Sequence, residues 1–270
     1  MQHFEKTVGF ITGGASGIGL GMARGLGQRG MTVVLADIEA SRLDSAASTL
    51  RAEGIAVETA VLDVRDAQAY KAIARQTLDR HGAVHFLFNN AGVAGPSPVG
   101  ESTIEDWRWV VDVNLMGVVH GVEFFLPAMR AAGEPGYIIN TASMAGHLAS
   151  PGMASYCATK YAVVGYSEVM DIELRETPID VSVLCPAFVK TRIADSMRNH
   201  PNPDVAAVPN AGAEKIGRII DHEGMSVEDL VERILKGMAA RTFYLFSHKE
   251  FWPHMQKRMD LIRADYQEVL

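Results

Sequence analysis

Cysteine is scarce in this chain. Cys157 and Cys185 are its two thiols in 270 residues, too few for a disulfide scaffold and not spaced for a zinc site. That count fits a reducing compartment, and a cytoplasmic location is the expectation. No Lys/Arg cluster stands out, and 25 basic against 32 acidic residues leave a formal charge of −7. The basic stripe of a nucleic-acid groove is missing, so no nucleic-acid partner is expected. No uninterrupted apolar run approaches the roughly 18 residues that span a bilayer. Met1–Lys6 lacks the pattern of a secretory signal, and neither a membrane partner nor export is expected. Internal repeats and low-complexity linkers are absent. With 48% hydrophobic and 21% charged residues, the composition excludes a disordered or collagen-like chain.

What is present is alternation. Thr7–Ile11, Thr32–Ala36, Ala56–Leu62, Val84–Phe88, Tyr137–Asn140 and Val181–Leu184 read as strands. Helical patterns separate them: Gly17 to about Gly30, one capped by Ser41 and running to Glu53, Asp66–His81, a long pattern from Ile104 to Ala132 with a possible break, and Ser155–Glu176. Strands apolar on both faces between helices predict an α/β fold: a single Rossmann-type domain over residues 1–270, a doubly wound parallel sheet with helices on both faces. Arg198–Gly212, with two prolines in Asn199–Asp204 and then Pro209-Asn210-Ala211-Gly212, is the one compositional break. It predicts a flexible loop, part of a substrate loop over about 188–225. A helix (Ser226–Ala240), a strand (Phe243–Phe246) and a C-terminal helix of about 249–268 follow. On that last helix Trp252, Met255, Met259, Ile262 and Tyr266 recur at helical spacing, which reads as core or subunit contact before it reads as a ligand site.

The first strand ends in Thr12-Gly13-Gly14-Ala15-Ser16-Gly17-Ile18-Gly19. Glycines at a strand-to-helix turn let backbone N–H groups approach a pyrophosphate, and the helix N-terminus favours the negative charge. Asp37 ends the next strand, where a carboxylate accepts hydrogen bonds from ribose hydroxyls; its other reading is a turn former beside Ser41. A 2′-phosphate would meet like charge at Asp37, so NAD is expected over NADP, with Arg42 the nearby cation that weakens the inference. Tyr156 and Lys160 lie four residues apart on one helix and share a face. A nearby ammonium favours tyrosinate and would make the phenol a usable base. Ser143, at the end of a strand, is placed to hydrogen-bond a substrate oxygen.

The ordered set of the glycine turn, Asp63-Val64, Asn89-Asn90-Ala91-Gly92, Asn114, Ser143, Tyr156-Cys157-Ala158-Thr159-Lys160 and Pro186 through Thr191 resembles the short-chain dehydrogenase/reductase family over roughly residues 5–192. The resemblance implies roles. Tyr156 would be the general acid/base, Ser143 would polarise the substrate oxygen, and Lys160 would bind the nicotinamide ribose and lower the tyrosine pKa. Asn114 would hold a water in a proton relay. Gly13, Ser16, Gly17, Ile18, Gly19, Asp37, Asp63, Val64, Asn90, Ala91, Gly92, Pro186, Val189 and Thr191 would contact the cofactor. Asn89 reads equally well as a tie between strands, and Asn114 on its own as a polar residue making a local backbone bond. Pro186-Ala187 departs from the family's usual Pro-Gly, and the C-terminus lacks its aspartate and paired glycines, which leaves homodimer and homotetramer both open.

The implied reaction is NAD-dependent interconversion of a secondary alcohol and its ketone, with no metal. The substrate segments contribute Met144, His147, Leu148, Met153, Phe188, Ile193 and Met197. That mainly apolar set favours a hydrophobic or aromatic alcohol over a sugar. The long loop and C-terminal pattern are similar to a branch containing aryl-alcohol Cα-dehydrogenases. An NADPH-dependent carbonyl reductase and a non-catalytic nicotinamide-binding sensor are the alternatives; the first is disfavoured by Asp37, the second by the complete Asn114, Ser143, Tyr156 and Lys160 set.

Overall fold

A computed structural model describes residues 4–95, 97–207 and 211–269, with side chains left out for 211–213. The strands are β1 (Val8–Thr12), β2 (Thr32–Asp37), β3 (Val57–Val61), β4 (Phe86–Asn89), β5 (Gly136–Thr141), β6 (Ile179–Cys185) and β7 (Tyr244–Phe246). The helices are α1 (Gly17–Gly27), α2 (Ala40–Ala52), α3 (Ala67–His81), α4 (Ile104–Val111), α5 (Gly117–Ala132), α6 (Ala154–Leu174), α7 (Pro203–Ala206), α8 (Ala211–Glu223), α9 (Val227–Ala239) and α10 (Trp252–Gln267). One seven-stranded sheet runs in the order β3-β2-β1-β4-β5-β6-β7, and every neighbouring pair is parallel. The order reverses between β1 and β4, and a crevice opens there at the carboxyl ends of the strands.

Successive residues of a strand face opposite sides, and the two cores divide accordingly. Ile11, Val33, Leu35 and Ile139 pack with Met22 and Leu26 of α1, Leu43 and Leu50 of α2, and Leu230 and Ile234 of α9. Their neighbours Phe10, Val34 and Ile138 pack on the other face with Tyr70 of α3, Phe125 of α5 and Leu174 of α6. Both faces are buried, which explains why the strands read as continuous apolar runs.

Three departures from the sequence expectation stand out, and the possible break in the long helical pattern is present. Ser41 does not cap α2; Glu39 stands at that position, its N–H donating to Asp37 Oδ1 at 3.0 Å. The long helical pattern is two helices joined by a π-helical turn, Asp112–Met116, which holds Asn114. By length and composition Ile104–Ala132 would cross a membrane, yet it packs against the sheet, with Trp109, Val113, Val122 and Phe125 buried. The stretch from 188 to 225 is largely helical: a 3₁₀ segment (Ile193–Asn199), α7 and α8. Its ends are tied together, Lys190 N–H donating to Met225 O and Met225 N–H to Phe188 O, both at 2.9 Å. Gly217, with Gly212 in the sequence, masked the helical period of α8; Pro209 and Asn210 lie outside the described residues. On α10, Trp252, Met259, Ile262 and Tyr266 are exposed, and no α10 side chain is buried, which overturns the reading of that stripe as core.

Candidate active site

The site is a cleft along the carboxyl ends of β1, β2, β4, β5 and β6. Its floor at one end is the glycine turn. Gly13 has φ +64°, and a Cβ there would sit 2.9 Å from Asn90 Nδ2 and 3.0 Å from Ala91 Cα. Gly19 lies beneath the lining, where a Cβ would come within 2.3 Å of Gly13 O. Only glycine lets the turn and the helix start fold on each other so closely. The loop after β4 clamps this turn: Asn90 N–H donates to Thr12 Oγ1 at 2.9 Å and Asn90 Nδ2 to Thr12 O at 3.0 Å.

The N-terminus of α1 opens into the cleft through Ser16, Gly17 and Ile18. Ser16 makes no side-chain capping bond there, and the first turn holds no acidic residue. Asp66 caps α3, and Thr103 and Asp106 form a capping box on α4, while α2, α5, α6 and α10 start uncapped as α1 does; what sets α1 apart is where its start opens. An uncapped helix start opening into a cleft is suited to an anion. Asp37 lines the cleft beyond it, its Oδ2 accepting from Ala15 N–H at 3.0 Å. It therefore acts as a turn former as well as facing the cleft. Burial raises its pKa, opposed by the N–H groups of Glu39 and Ala15. At Asp63 burial pushes the same way, but the Arg65 guanidinium, with Nη2 at 2.7 Å, outweighs it and holds the carboxyl low.

At the other end the side chains are titratable and enclosed. Ser143, Tyr156 and Lys160 line the cleft together. Lys160 Nζ donates to Thr141 O at 2.8 Å and lies 5.6 Å from the centre of the Tyr156 ring. Burial lowers its pKa to about 8, so the ammonium form still prevails at neutral pH. Burial also raises the Tyr156 pKa, and the neighbouring Ser143 hydroxyl opposes it. Enclosure is the larger influence on this phenol, and Ser143 is the neighbour that counters it.

Asn114 stands behind the lining and is fully buried. Its Oδ1 accepts from Val93 N–H at 2.8 Å and its Nδ2 donates to Val93 O at 2.9 Å. The bond is long-range rather than local, and it fixes the strand-end loop that carries Ala91 and Gly92. Asn89 takes its strand-tying reading, donating to Asn140 Oδ1 at 2.9 Å, while Asn140 donates to Ser167 Oγ at 3.0 Å.

Of the sequence-derived cofactor set, Gly13, Ser16, Gly17, Ile18, Asp37, Asp63, Val64, Asn90, Ala91, Gly92, Pro186, Val189 and Thr191 line this one cleft. Of the substrate set, Ile193 does. Met144, His147, Met153, Phe188 and Met197 lie outside the lining. Met144 is buried, with its N–H on Pro186 O. His147 turns to Cys185 Sγ at 3.3 Å and packs on Tyr244 and Phe246. Met153 sits in a bridge with Ser97. Phe188 packs on Phe251, and Met197 approaches Gly95. The sequence reading missed Glu39, Arg65, Trp109, Thr141, Arg198 and Asn199 in the lining. No short motif signals them, since each arrives through the tertiary fold.

Comparison with known proteins bears on the same residues. The short chain dehydrogenase family model matches residues 7–202. A C alpha-dehydrogenase of Sphingobium sp. (strain NBRC 103272 / SYK-6) is 34% identical over 97% of this chain and 87% of its own. The crystal structure of a short chain dehydrogenase/reductase from Burkholderia phymatum, in complex with NAD, superposes with a TM-score of 0.93 at 37% identity, covering 98% of this chain and 97% of that one. A metagenomic short-chain oxidoreductase in complex with NADP has a TM-score of 0.66 at 32% identity, covering 69% of this chain and 85% of that one. With a family match across the whole cleft and relatives spanning nearly the full length, this chain belongs to the short-chain dehydrogenase/reductase family, oxidoreductases of alcohols and ketones.

Proposed function

We propose that this chain is an NAD-dependent dehydrogenase of a hydrophobic or aromatic secondary alcohol, with Tyr156 as its general acid/base. The observation that carries this reading is the convergence of Ser143, Tyr156 and Lys160 on a cleft whose other end is an uncapped helix start under a glycine turn. A nicotinamide dinucleotide supplies the hydride acceptor when bound; the Gly13 turn, the α1 N-terminus and Asp37 are the groups that would hold it.

The protein's part is proton handling and orientation. Ser143 Oγ accepts from Ala145 N–H at 3.1 Å and donates to Pro186 O at 3.3 Å, so its hydroxyl is positioned in the cleft lining and would turn its one proton from Pro186 O to orient a substrate oxygen. Tyr156 takes the hydroxyl proton in oxidation and returns it in reduction. Lys160, anchored on Thr141 O, keeps a positive charge near the phenol and offers its other two N–H donors to a ribose. The Asn114 amide is engaged with Val93 and, through Nδ2, with Thr159 Oγ1 at 3.3 Å, so its side chain serves to hold the loop after β4 beside Lys160.

NAD is favoured over NADP by the charges around Asp37. Arg42 Nε lies 2.8 Å from Glu39 Oε2 and Arg198 Nη2 lies 2.6 Å from Glu39 Oε1. Arg42 and Arg198 are thereby engaged with a carboxylate rather than free for a 2′-phosphate. The similarity to a C alpha-dehydrogenase supports an aromatic alcohol as substrate. The exposed apolar side chains of α10 support a homodimer or homotetramer, and a cytoplasmic location accords with the free thiols of Cys157 and Cys185.

The test is nicotinamide absorbance during incubation with aromatic and aliphatic secondary alcohols, with NAD⁺ and NADP⁺ in parallel. Turnover with NAD⁺ on aromatic alcohols is expected. Turnover confined to NADP⁺ would show that Asp37 is not the discriminating charge, and the carbonyl-reductase reading would replace this one.

A further inference from the structure

The segment Arg192–His200, which leaves β6 and leads into α7, forms one wall of the cleft; Asp37, Ile38 and Glu39 stand in the opposite wall. At the Asp37 end the two walls touch. Arg198 Nη2 and Nε donate to Glu39 Oε1 at 2.6 and 3.1 Å, and Asn199 Nδ2 donates to the same oxygen at 3.3 Å. These contacts join residues about 160 positions apart in sequence. The second carboxylate oxygen of Glu39 is held by Arg42.

Both partners are braced. Arg198 Nη1 donates to the carbonyls of Asp195 at 2.7 Å and Arg192 at 3.4 Å, so the guanidinium is rigidly part of its own segment. Glu39 is tied through its N–H to Asp37 Oδ1. The next residue of the segment, His200, is buried edge-on against Trp109 at 4.7 Å, with Nε2 3.2 Å from Asp106 Oδ1. The segment therefore has one anchor deep against α4 and one at the cleft rim. The rim anchor is the breakable one: the Arg198 and Glu39 side chains are 25% and 20% exposed, within reach of water.

We propose that the Glu39–Arg198 ion pair is a latch that straps Arg192–His200 across the bound dinucleotide, so that cofactor exchange requires the pair to open. This rests on the cofactor reading of the cleft given above. The latch would couple the two ends of the site, because the strap that Glu39 holds also carries Ile193 at the cleft. A partly exposed, multiply hydrogen-bonded ion pair contributes on the order of 1 kcal/mol, which corresponds to about a fivefold change in an opening equilibrium.

The test uses the full chain loaded with NADH and chased with excess NAD⁺ in a stopped-flow fluorimeter. Glu39→Gln is the first variant. Glu39→Ala is the second, since glutamine keeps an oxygen able to accept from Arg198. Arg198→Met and the double variant with Glu39→Ala complete a cycle. The expected result is NADH release about fivefold faster in Glu39→Ala and in Arg198→Met, and no faster in the double variant than in either single one. Limited trypsin digestion gives a readout independent of the cofactor signal: cleavage after Arg198 should quicken in Glu39→Ala. Unchanged release from Glu39→Ala that still binds NADH would overturn the latch, as would single effects that multiply in the double variant, which would place Arg198 on the cofactor itself. A wild-type chain that binds no NADH would instead remove the cofactor reading on which the latch depends.

Discussion

The two ends of the cleft are built on different principles. At the glycine turn the useful groups are backbone N–H donors, and the sequence needs only the absence of side chains at Gly13 and Gly19 to present them. At the Tyr156 end the useful groups are side chains withdrawn from water. Each is set by neighbours from other segments: Thr141 holds Lys160, Pro186 and Ala145 hold Ser143. Binding at one end is a matter of shape, while reactivity at the other is a matter of enclosure. If that division is right, the ends can be damaged separately.

The largest effect belongs to the chemical end. Tyr156→Phe keeps the ring that fills the site and removes the proton donor. Turnover should fall by about 10²–10⁴-fold, while NADH titration gives an affinity close to wild type. A parallel loss of affinity would mean that the two ends are not separable and that the phenol belongs to the binding surface.

The complementary lesion is Gly13→Val. A β-branched residue at φ +64° is strained, and its Cβ meets Asn90 Nδ2 and Ala91 Cα at 3.0 Å or less. Cofactor affinity should drop on the order of tenfold or more, because about 1–2 kcal/mol of strain displaces the turn. At saturating cofactor the turnover number should stay within a few-fold of wild type. A collapse of turnover that saturating cofactor does not restore would break the comparison.

The same division explains what was legible in the sequence. The parallel sheet showed in its strands because both faces are buried, and the glycine turn showed because backbone geometry writes itself as a local motif. Helical spacing put Tyr156 and Lys160 on one face, and their order after the glycine turn and Ser143 singled them out. Asn114 was visible only beside the other motifs, since the π-helical turn that seats it against Val93 has no local signature. The Arg198–Glu39 contact could not be read, as its halves are distant in sequence. His147 shows that closeness to Ser143 in the chain does not put a side chain in the cleft lining: it turns to Cys185 and the β7 aromatics. On α10 helical periodicity indicated a buried face, but periodicity alone does not say what covers it.

The smallest effect sharpens the idea of enclosure directly. Burial lowers the Lys160 pKa from 10.5 to about 8. Between those two values the unfolded chain keeps this proton and the folded chain gives it up, so stability from this group rises with pH across that window. Below pH 8 both states carry the charge, and the folded state bears the cost of burying it. Lys160→Met has no such group. Thermal melts of the two proteins from pH 7 to pH 9.5 should therefore show wild type gaining on the variant by a few degrees as pH rises. Tyr156, whose pKa burial raises from 10.0, works against stability only at higher pH and leaves this window to the lysine. A difference in melting temperature that stays flat across the window would mean that Lys160 is less enclosed than its contact with Thr141 implies. The contrast between a backbone-built end and a buried-charge end would then lose its physical basis.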